Sequence, residues 1–314
     1  MKKENIVDKK IISLDEGVIQ ALEFFKKTKL PKLNLNQFKF PIVVGSGNAF
    51  NTGQILFSNR PVVLADESTF KKIILSYKQL IKKRVITEVV VISASGEKDS
   101  IWELQLAKKY KLKTILLTCS SNSSAGKIAD QVFVYPKIAE PYTYNISTYL
   151  GMILSVKPEN PENILNFLKM LKLKPGFGKF TAYSFILPDE FIAIAPMLDI
   201  KKSELFGSKL SLRAFSFGQA RHAKFVISDK NELVITIGTD KNLYFGEASS
   251  RWQININGKV DFAFILCLTY YLVGQIQKSK PDYFKNNIKK YCLDCGPKAY
   301  GSNKSFDIIV PGNN

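Results

Sequence analysis

The chain has few of the residues from which metal sites and disulfide frameworks are built. Its 314 residues include one histidine and four cysteines, whereas a structural zinc site needs four such ligands at close spacing. Cys292 and Cys295 form one C-x-x-C pair with no second pair nearby, and Cys119 and Cys267 lie in apolar runs typical of a core. We therefore expect no metal, no cofactor and no disulfide framework.

Long apolar runs are also missing. A membrane-spanning helix needs about twenty consecutive apolar residues, and the most hydrophobic segment, residues 261–276, falls short of that length. We predict that this segment is a buried core helix. The chain starts with polar and charged residues, which do not resemble a signal peptide. These features lead us to expect a cytoplasmic protein that does not associate with membranes.

Acidic residues are scarce relative to basic ones: 27 Asp and Glu against 45 Lys and Arg give a formal net charge of +18. Such a charge suggests nucleic-acid binding, but the lysines are spread along the sequence and no groove-reading motif accompanies them. We expect no nucleic-acid partner, and a diffuse positive field that concentrates an anionic metabolite. With 46% hydrophobic and 12% aromatic residues, the chain can fill the cores of two domains.

The segment VVVISASGEK at residues 89–98 is the strongest pattern in the sequence. Its apolar run has no polar face, which predicts a fully buried parallel strand. Ser93, Ser95 and Gly96 then form a tight turn, and helical spacing begins at Asp99. Backbone N–H groups, hydroxyls and the positive end of a helix meet at such a turn, as in anion-binding sites. A strand-to-helix turn that is only capped by serines is the alternative.

The same pattern recurs in the first half of the chain. Residues 41–48 and 114–121 each join an apolar run to a turn rich in glycine or hydroxyl groups, and residues 131–135 form a fourth apolar run. Strands that alternate with helices indicate a doubly wound parallel sheet, in which ligands bind beyond the carboxyl ends of the strands. The turns therefore predict one anion pocket, lined by Ser46, Asn48, Ser93, Ser95, Lys98, Thr118, Ser120 and Ser121.

Proline and glycine break the chain between about residues 155 and 178, and the alternation resumes beyond them. Residues 182–187 and 233–237 have the pattern of strands, and residues 189–202 that of a helix. The sequence thus predicts an α/β protein with two doubly wound parallel-sheet domains in tandem. The expected division is an N-terminal helical segment (1–37, with a helix over 14–27 that covers the first sheet), a first domain (38–160), a connecting helix and linker (161–178), a second domain (179–300) and a C-terminal tail (301–314).

The turns of the first half resemble those of the sugar isomerase (SIS) domain family, whose members bind phosphorylated sugars. Residues 92–99, ISASGEKD, resemble the family's Ser-x-Ser-Gly-Glu-Thr phosphate loop, and residues 123–130 the stretch that follows it. Glu140 with Ser147-Thr148 resembles the family's Glu…Ser-Thr segment. The resemblance spans about residues 40–155 and implies tandem flavodoxin-like domains, a phosphorylated sugar as the ligand, and contact of Glu140 with the substrate.

Two positions depart from the family pattern. Lys98 stands where the family usually has Thr, and Asn48-Ala49 stands where it usually has Ser. A lysine still holds an anion as a point charge, so anion binding is compatible with this sequence, while the identity of the anionic group stays open.

Two polar segments of the second half are candidates for chemistry. His222, the only histidine, follows a glycine turn and has Arg221 and Lys224 beside it, surroundings that favour a neutral imidazole near pH 7. Lys201 and Glu204 are three residues apart on one helical face. A structural histidine and an exposed surface ion pair are the respective alternatives.

These segments resemble the isomerase half of glucosamine-6-phosphate synthase, within the same family. The helix KKSE at residues 201–204 matches its K-x-K-E helix, residues 218–224 match its G-E-L-K-H-G-P loop, and residues 303–309 match its A-K-S-V-T-V-E tail. The resemblance implies that His222 opens the sugar ring and that Glu204 is the base that forms the enediol. It also implies that Lys201 is the lysine that accompanies this base and that Lys304 forms a Schiff base.

The resemblance also implies a homodimer with shared active sites, because the matched histidine reaches the neighbouring subunit's site in that group. The loop departs from the pattern at Gln219 and at Ala223-Lys224, and the spacing from Glu204 to His222 is two residues longer. The chain begins Met-Lys-Lys, without the nucleophilic cysteine of a glutaminase half, which we expect to be absent.

Together these features predict an aldose–ketose isomerase of a phosphorylated hexose or amino sugar, with deamination left open. It would act through ring opening and an enediol or enolamine. Two alternatives remain. One is a non-catalytic sugar-phosphate sensor, and the other is an amine-transferring or deglycating enzyme that uses the same residues.

Overall fold

The apolar runs of the first half form a five-stranded parallel sheet. The computed structural model describes residues 11–256 and 258–313. The strand order is β2-β1-β3-β4-β5, which is the flavodoxin-like order. The strands are β1 (Ile42–Gly45), β2 (Val63–Ala65), β3 (Glu88–Ile92), β4 (Lys113–Thr118) and β5 (Gln131–Val134).

Both faces of this sheet are covered, which explains why its central strands lack a polar face. Val89 and Val91 lie in one apolar cluster, and Val90 and Ile92 in another on the opposite face. The helices of this half are α1 (Leu14–Phe25), α2 (Asn48–Leu56), α3 (Phe70–Ser76), α4 (Lys78–Lys82), α5 (Asp99–Lys109) and α6 (Ile146–Val156).

The second half contains a four-stranded parallel sheet and supplies one strand of a two-stranded antiparallel sheet. The parallel order is β10-β9-β7-β8, and the two-stranded sheet joins the C-terminal tail to the first half. The remaining strands are β6 (Glu140–Pro141), β7 (Ala182–Leu187), β8 (Ser211–Ser216), β9 (Glu232–Ile237), β10 (Arg251–Ile254) and β11 (Ile309–Val310). The remaining helices are α7 (Pro161–Met170), α8 (Ala195–Leu205), α9 (Phe217–Ala220), α10 (Phe262–Lys278), α11 (Tyr283–Lys290) and α12 (Gly296–Ala299).

The α/β fold with parallel sheets is confirmed, and the strands missed by sequence lie mostly at sheet edges. β2, β8 and β10 each end the strand order of their sheet. An edge strand needs less apolar sequence because one side of it has no neighbouring strand. β8, SLRAFS, therefore tolerates Arg213, and β2 has only three residues. The segment predicted as a helix over 189–202 begins as a 3₁₀ turn and becomes α-helical only at Ala195.

Helix α1, which was expected to cover the first sheet, packs against elements of both halves. It contacts α6 of the first half and α10 of the second. The buried Asp15 carboxylate accepts hydrogen bonds from Lys278 Nζ at 2.6 Å and Gln275 Nε2 at 2.7 Å. One apolar cluster continues through both halves, so the division into two domains stays a prediction. Residues 1–10 of the predicted N-terminal segment lie outside the described residues.

The most hydrophobic predicted segment is a buried helix. α10 has 17 residues, 14 of which are buried. No helix in the described ranges is long and apolar enough to cross a bilayer.

The close contact between α1 and α10 gives a stability prediction. A Cβ at Gly274 would lie 2.0 Å from the backbone nitrogen of Asp15, whereas a Cβ at Gly17 would make ordinary contact with Tyr144 at 3.4 Å. Gly274→Ala should lower the free energy of unfolding by about 3 kcal/mol, because the helices must separate. Gly17→Ala should be neutral or stabilising by up to about 1 kcal/mol, since alanine favours a helix. Urea unfolding measures both, and equal midpoints would contradict this packing.

Candidate functional site

The turns after β3 and β4 lie against each other at the carboxyl edge of the first sheet. Thr118 Oγ1 donates to the Ala94 carbonyl at 3.2 Å, and Ser124 N donates to Glu97 Oε1 at 2.8 Å. A Cβ at Gly96 would lie 2.4 Å from Ser123 Oγ, so only glycine permits this approach. The structure therefore brings together two of the three turns that the sequence assigned to one pocket.

The serines of the first turn are arranged to donate outward. Ser93 Oγ accepts from Gly96 N at 3.2 Å, and Ser95 Oγ accepts from Glu97 N at 3.3 Å. A hydroxyl that accepts from its own turn keeps its proton for another acceptor. The turn leads into α5, whose amino end carries partial positive charge. This combination suits an anion.

The turn after β1 lies next to the same edge, because β1 pairs with β3. Ser46 is half-buried, and Asn48 is buried at the start of α2 with its Oδ1 lacking a well-formed hydrogen bond. On the other side, Ser120 N donates to Thr118 Oγ1 at 3.2 Å, while Ser121 is exposed. The boundary between β1 and β3 is the point where a flavodoxin-like strand order reverses and ligands bind.

Lys98 has an unusual backbone and an unusual environment. Its φ of 57° and ψ of −123° nearly equal those of Gly47 at the start of α2, a conformation that a side chain disfavours. Its ammonium lies 3.5 Å from the ring centroid of Tyr300 and 4.7 Å from that of Phe306. Burial lowers the pKa of Lys98. The lysine of the turn is thus held by two aromatic residues of the C-terminal region.

The C-terminal tail returns to the carboxyl edge of the first sheet. β11 pairs with β6, and Tyr142 N donates to the Ile308 carbonyl at 2.8 Å. Phe306 stacks on Tyr142 with 5.2 Å between ring centroids, and the Asn313 amide donates to the Cys119 carbonyl. Lys304, predicted to form a Schiff base in a desolvated place, is exposed in the single chain.

Lys201 and Glu204 form a buried pair, so their interpretation as an exposed surface ion pair is wrong. The Lys201 side chain is fully buried, and its Nζ donates to Glu204 Oε2 and to the Thr143 carbonyl, each at 2.5 Å. The Glu204 side chain is 24% exposed. Burial raises the pKa of Glu204, and the charge of Lys201 and its hydrogen bond to the carboxylate act in the opposite direction.

Glu204 also lies near the aromatic residues that surround Lys98. Its charge acts on the phenols of Tyr142 and Tyr291, whose pKa values are raised mainly by burial. Tyr142 contacts Phe306, which in turn contacts Lys98. The turn of residues 93–98, called the anion turn below, and the Lys201–Glu204 pair therefore border one region. Sequence reasoning missed its aromatic lining, Tyr142, Tyr291, Tyr300 and Phe306, although two of these residues flank the motifs that contain Glu140 and Lys304.

Glu140 was predicted to bind substrate, but its carboxylate accepts hydrogen bonds from the start of α6 instead. The residue is 2% exposed, and its carboxylate accepts from Ile146 N at 2.9 Å, Ser147 N at 3.4 Å and Ser147 Oγ at 2.8 Å. Burial raises its pKa, and these hydrogen bonds lower it. Glu140 thus caps the amino end of α6 and fixes the loop that presents the Thr143 carbonyl to Lys201.

His222 and Glu204 are not brought together within one chain. Glu204 lies near the end of α8, which precedes β8, and the exposed His222 follows β8 and α9. The six residues of β8 separate them, which corresponds to roughly 20 Å of extended strand. Around His222, the chain exposes four large apolar side chains: Val226, Ile227, Leu243 and Tyr244.

No group of three or more His, Cys, Asp and Glu side chains that suits a metal ion occurs in the described part of the chain. Cys292 is buried and Cys295 exposed, both as free thiols.

The chain matches no protein-family model. Over 286 residues it is 22% identical to a glutamine–fructose-6-phosphate aminotransferase (isomerizing) of Caldanaerobacter subterraneus, an alignment that covers 79% of this chain and 46% of the relative. The chain thus spans about half the length of the curated relative it matches.

Several solved structures share the fold. They include a glucosamine-6-phosphate deaminase from Thermotoga maritima (14% identity, TM-score 0.59, 86% of this chain and 96% of that one). They also include the C-terminal domain of glucosamine-fructose-6-phosphate aminotransferase from Francisella tularensis (16% identity, TM-score 0.57, 85% of this chain and 93% of that one). The tagatose-6-phosphate ketose/aldose isomerase of Escherichia coli is similar as well (15% identity, TM-score 0.56, 86% of this chain and 89% of that one). At these identities the likeness shows the fold.

The geometry of the anion turn predicts a local response to inorganic phosphate. In wild type, phosphate should shift the amide resonance of Gly96. Ser95→Ala with Lys98→Ala should weaken this local binding at least tenfold, because each charge-assisted hydrogen bond contributes about 1.5–3 kcal/mol. Lys109→Ala, at the far end of α5, is the control. A Gly96 titration that is the same in all three proteins would refute the anion site.

Proposed function

Because this chain belongs to the sugar isomerase (SIS) family, we propose that it is an aldose–ketose isomerase of a phosphorylated hexose or amino sugar. The buried Lys201–Glu204 pair carries this proposal. A half-buried carboxylate with a raised pKa, held by a buried ammonium, is the kind of group that moves a proton between carbon atoms near neutral pH. The names of the similar proteins, which include a deaminase and a ketose/aldose isomerase, support the same substrate class.

The reaction begins with the phosphate of the sugar on the turn of residues 93–98. The hydroxyls of Ser93 and Ser95 donate to it, and Lys98 supplies a positive charge. Since Lys98 lies against Tyr300 and Phe306, its ammonium turns from these rings towards the phosphate. The sugar then extends from the turn towards Tyr142 and Glu204.

Glu204 acts as the base of the isomerisation. As a carboxylate it takes the proton from C2 of the open-chain aldose, the hydroxyl proton of the enediolate passes from O2 to O1, and Glu204 returns its proton to C1, so that the ketose forms with no net proton consumed. Lys201 keeps Glu204 ionised, because its positive charge lowers the pKa that burial raises. The Thr143 carbonyl fixes the position of the ammonium.

His222 opens the sugar ring from a second copy of the chain. Its distance from Glu204 along β8 excludes a shared site within one chain, and the apolar side chains around it, Val226, Ile227, Leu243 and Tyr244, suit a subunit contact. We therefore propose a homodimer in which each site combines Glu204 of one subunit with His222 of the other.

The alternative function is a sugar-phosphate sensor without catalysis. The exposure of Lys304 favours this alternative over an amine-transferring enzyme, since imine chemistry needs a lysine in a desolvated place. A sensor would bind the sugar phosphate at the same turn without exchange of the C2 proton.

The first test follows exchange of the C2 proton with deuterium in a panel of hexose and hexosamine phosphates. Wild type should exchange at least one member, and Glu204→Gln should lose at least a hundredfold in rate while it binds the same sugar. Asp199→Asn, an exposed position on the same helix, should keep the wild-type rate. Binding without exchange in wild type would support the sensor instead.

The Lys201–Glu204 pair predicts a pH dependence. Burial raises the pKa of Glu204 above 4.5, and the ionised form is the base, so kcat/KM should fall as pH drops through a value above 4.5. Lys201→Met removes the charge that lowers this pKa, which should move the acidic limb to higher pH. Lys202→Met, whose partner Asp199 is exposed, should leave the limb in place, and an unchanged limb in Lys201→Met would rule out this coupling.

The shared site predicts complementation between inactive variants. Glu204→Gln and His222→Asn should each be inactive on the cyclic sugar. Subunits mixed after partial unfolding and refolding should recover up to about one quarter of wild-type activity, because half of the dimers are mixed and each mixed dimer has one intact site. Activity that stays at the level of the separate variants, in mixtures shown by mass spectrometry to contain mixed dimers, would count against a shared site.

A further inference from the structure

A cationic groove lies at the amino edge of the first sheet, opposite to the candidate site. The cavity has a volume of about 550 Å³, within the range of small-ligand sites. The starts of β3 and β4 form its floor, and the ends of α4 and α5 form its walls. Its lining consists of Arg84, Thr87, Glu88, Lys108, Lys111, Leu112, Lys113 and Asp130.

The two helices that border the groove end in the same way. Arg84 and Lys111 follow α4 and α5 with φ values of 61° and 59°, and the next residues donate back to the helices, Val85 N to the Leu80 carbonyl and Leu112 N to the Ala107 carbonyl. Glycine is the usual residue at this position, since the left-handed conformation disfavours side chains. Here both positions carry long cationic side chains that line one groove.

The cations of the groove exceed what its own carboxylates neutralise. Lys108 is paired with Asp130 at 2.7 Å, but within the described residues no carboxylate lies within ion-pair distance of Arg84, Lys111 or Lys113. The four cations and two carboxylates of the lining leave a formal charge of +2. The negative ends of α4 and α5, about half a charge each, reduce this excess without reversing it.

The groove also contains a hydrogen-bond acceptor that lacks a donor. Glu88 Oε2 is buried and has no hydrogen-bond partner within the groove or elsewhere in the described chain. A buried acceptor in this state is costly, and because Glu88 lines the groove, a rotation of its side chain towards the groove would let a ligand hydroxyl satisfy it. The same carboxylate repels a ligand that offers only negative charge.

We propose that this groove is a second ligand site, which binds a phosphomonoester that carries hydroxyl groups. The phosphate dianion matches the excess charge of Arg84, Lys111 and Lys113, and a hydroxyl donates to Glu88. A nucleic-acid strand fits less well, because an excess of +2 serves only one or two phosphates. The site lies at the opposite ends of the strands from the turn of residues 93–98, so both sites can be filled together.

The test uses calorimetry with fructose 6-phosphate as the probe, on the full chain with Ser95→Ala and Lys98→Ala so that the turn is silent. One binding event per chain should remain. Adding Arg84→Gly and Lys111→Gly should weaken it at least tenfold, while the melting temperature stays unchanged or rises because glycine suits both backbone positions. The control pair Lys172→Gln and Lys179→Gln removes the same charge from exposed positions outside the groove and should leave the affinity unchanged.

Glu88→Gln separates hydroxyl recognition from charge. This substitution should weaken the binding of fructose 6-phosphate at least threefold and strengthen the binding of inorganic phosphate. The reason is that the carboxylate accepts hydrogen bonds from hydroxyl groups but repels a phosphate. The proposal is overturned if the protein with Ser95→Ala and Lys98→Ala binds no fructose 6-phosphate, or if adding Arg84→Gly and Lys111→Gly leaves the affinity unchanged. It is also overturned if the lysine-to-glutamine control loses as much affinity as the variant with the two glycines. These outcomes do not involve proton exchange at Glu204, so they leave the proposed isomerase function standing.

Discussion

The candidate site depends on the burial of one ammonium group. Lys201 is fully enclosed, and a buried charge is tolerated only where hydrogen bonds and an opposite charge compensate it. Glu204 supplies the charge, and the Thr143 carbonyl, presented by a residue with a φ of 75°, supplies the second acceptor. Thr143 belongs to the first half of the chain and Lys201 to the second. The site therefore exists only when the two halves are packed together.

The loop that carries Thr143 is fixed from two sides, which gives Glu140 and the tail a shared purpose. Glu140 caps α6 just after the loop, and β11 pairs with β6 just before it. Phe306 then lies between Tyr142 and Lys98. The tail thus contacts both the loop that presents the Thr143 carbonyl to Lys201 and, through the cation–π contact, the turn of residues 93–98. Lys98 and Thr143, with φ values of 57° and 75°, both contribute a strained backbone conformation to this chain of contacts.

The sequence predicted what depends on local patterns. The central strands β1, β3, β4, β7 and β9 were evident because both of their faces are buried, and the turn of residues 93–98 was evident because glycine and serine directly follow a strand. The edge strands β2, β8 and β10 were missed because pairing on one side leaves their apolar pattern weak, whereas the edge strand β5 was predicted from its apolar run. Glu140 was assigned to the ligand because its spacing to Ser147 was recognised, but that spacing reflects a helix cap. Nothing in the local sequence of Lys201 distinguishes a buried lysine from an exposed one.

The clustering of cationic side chains in the folded chain was the other property that could not be predicted from the sequence. The lysines are spread along the chain, yet the fold gathers Arg84, Lys108, Lys111 and Lys113 into one groove. The periodic repetition of strand, helix and turn explains this result, since each repeat places the end of one helix beside the start of the next strand. In the same way each repeat places a strand end beside a helix start at the opposite edge. A doubly wound sheet with cationic helix ends and hydroxyl-rich helix starts therefore has two edges that attract anions. The edges differ in chemistry: one has the Lys201–Glu204 pair beside it and the other only Glu88, so only the first edge carries the groups that the proposed proton transfer requires.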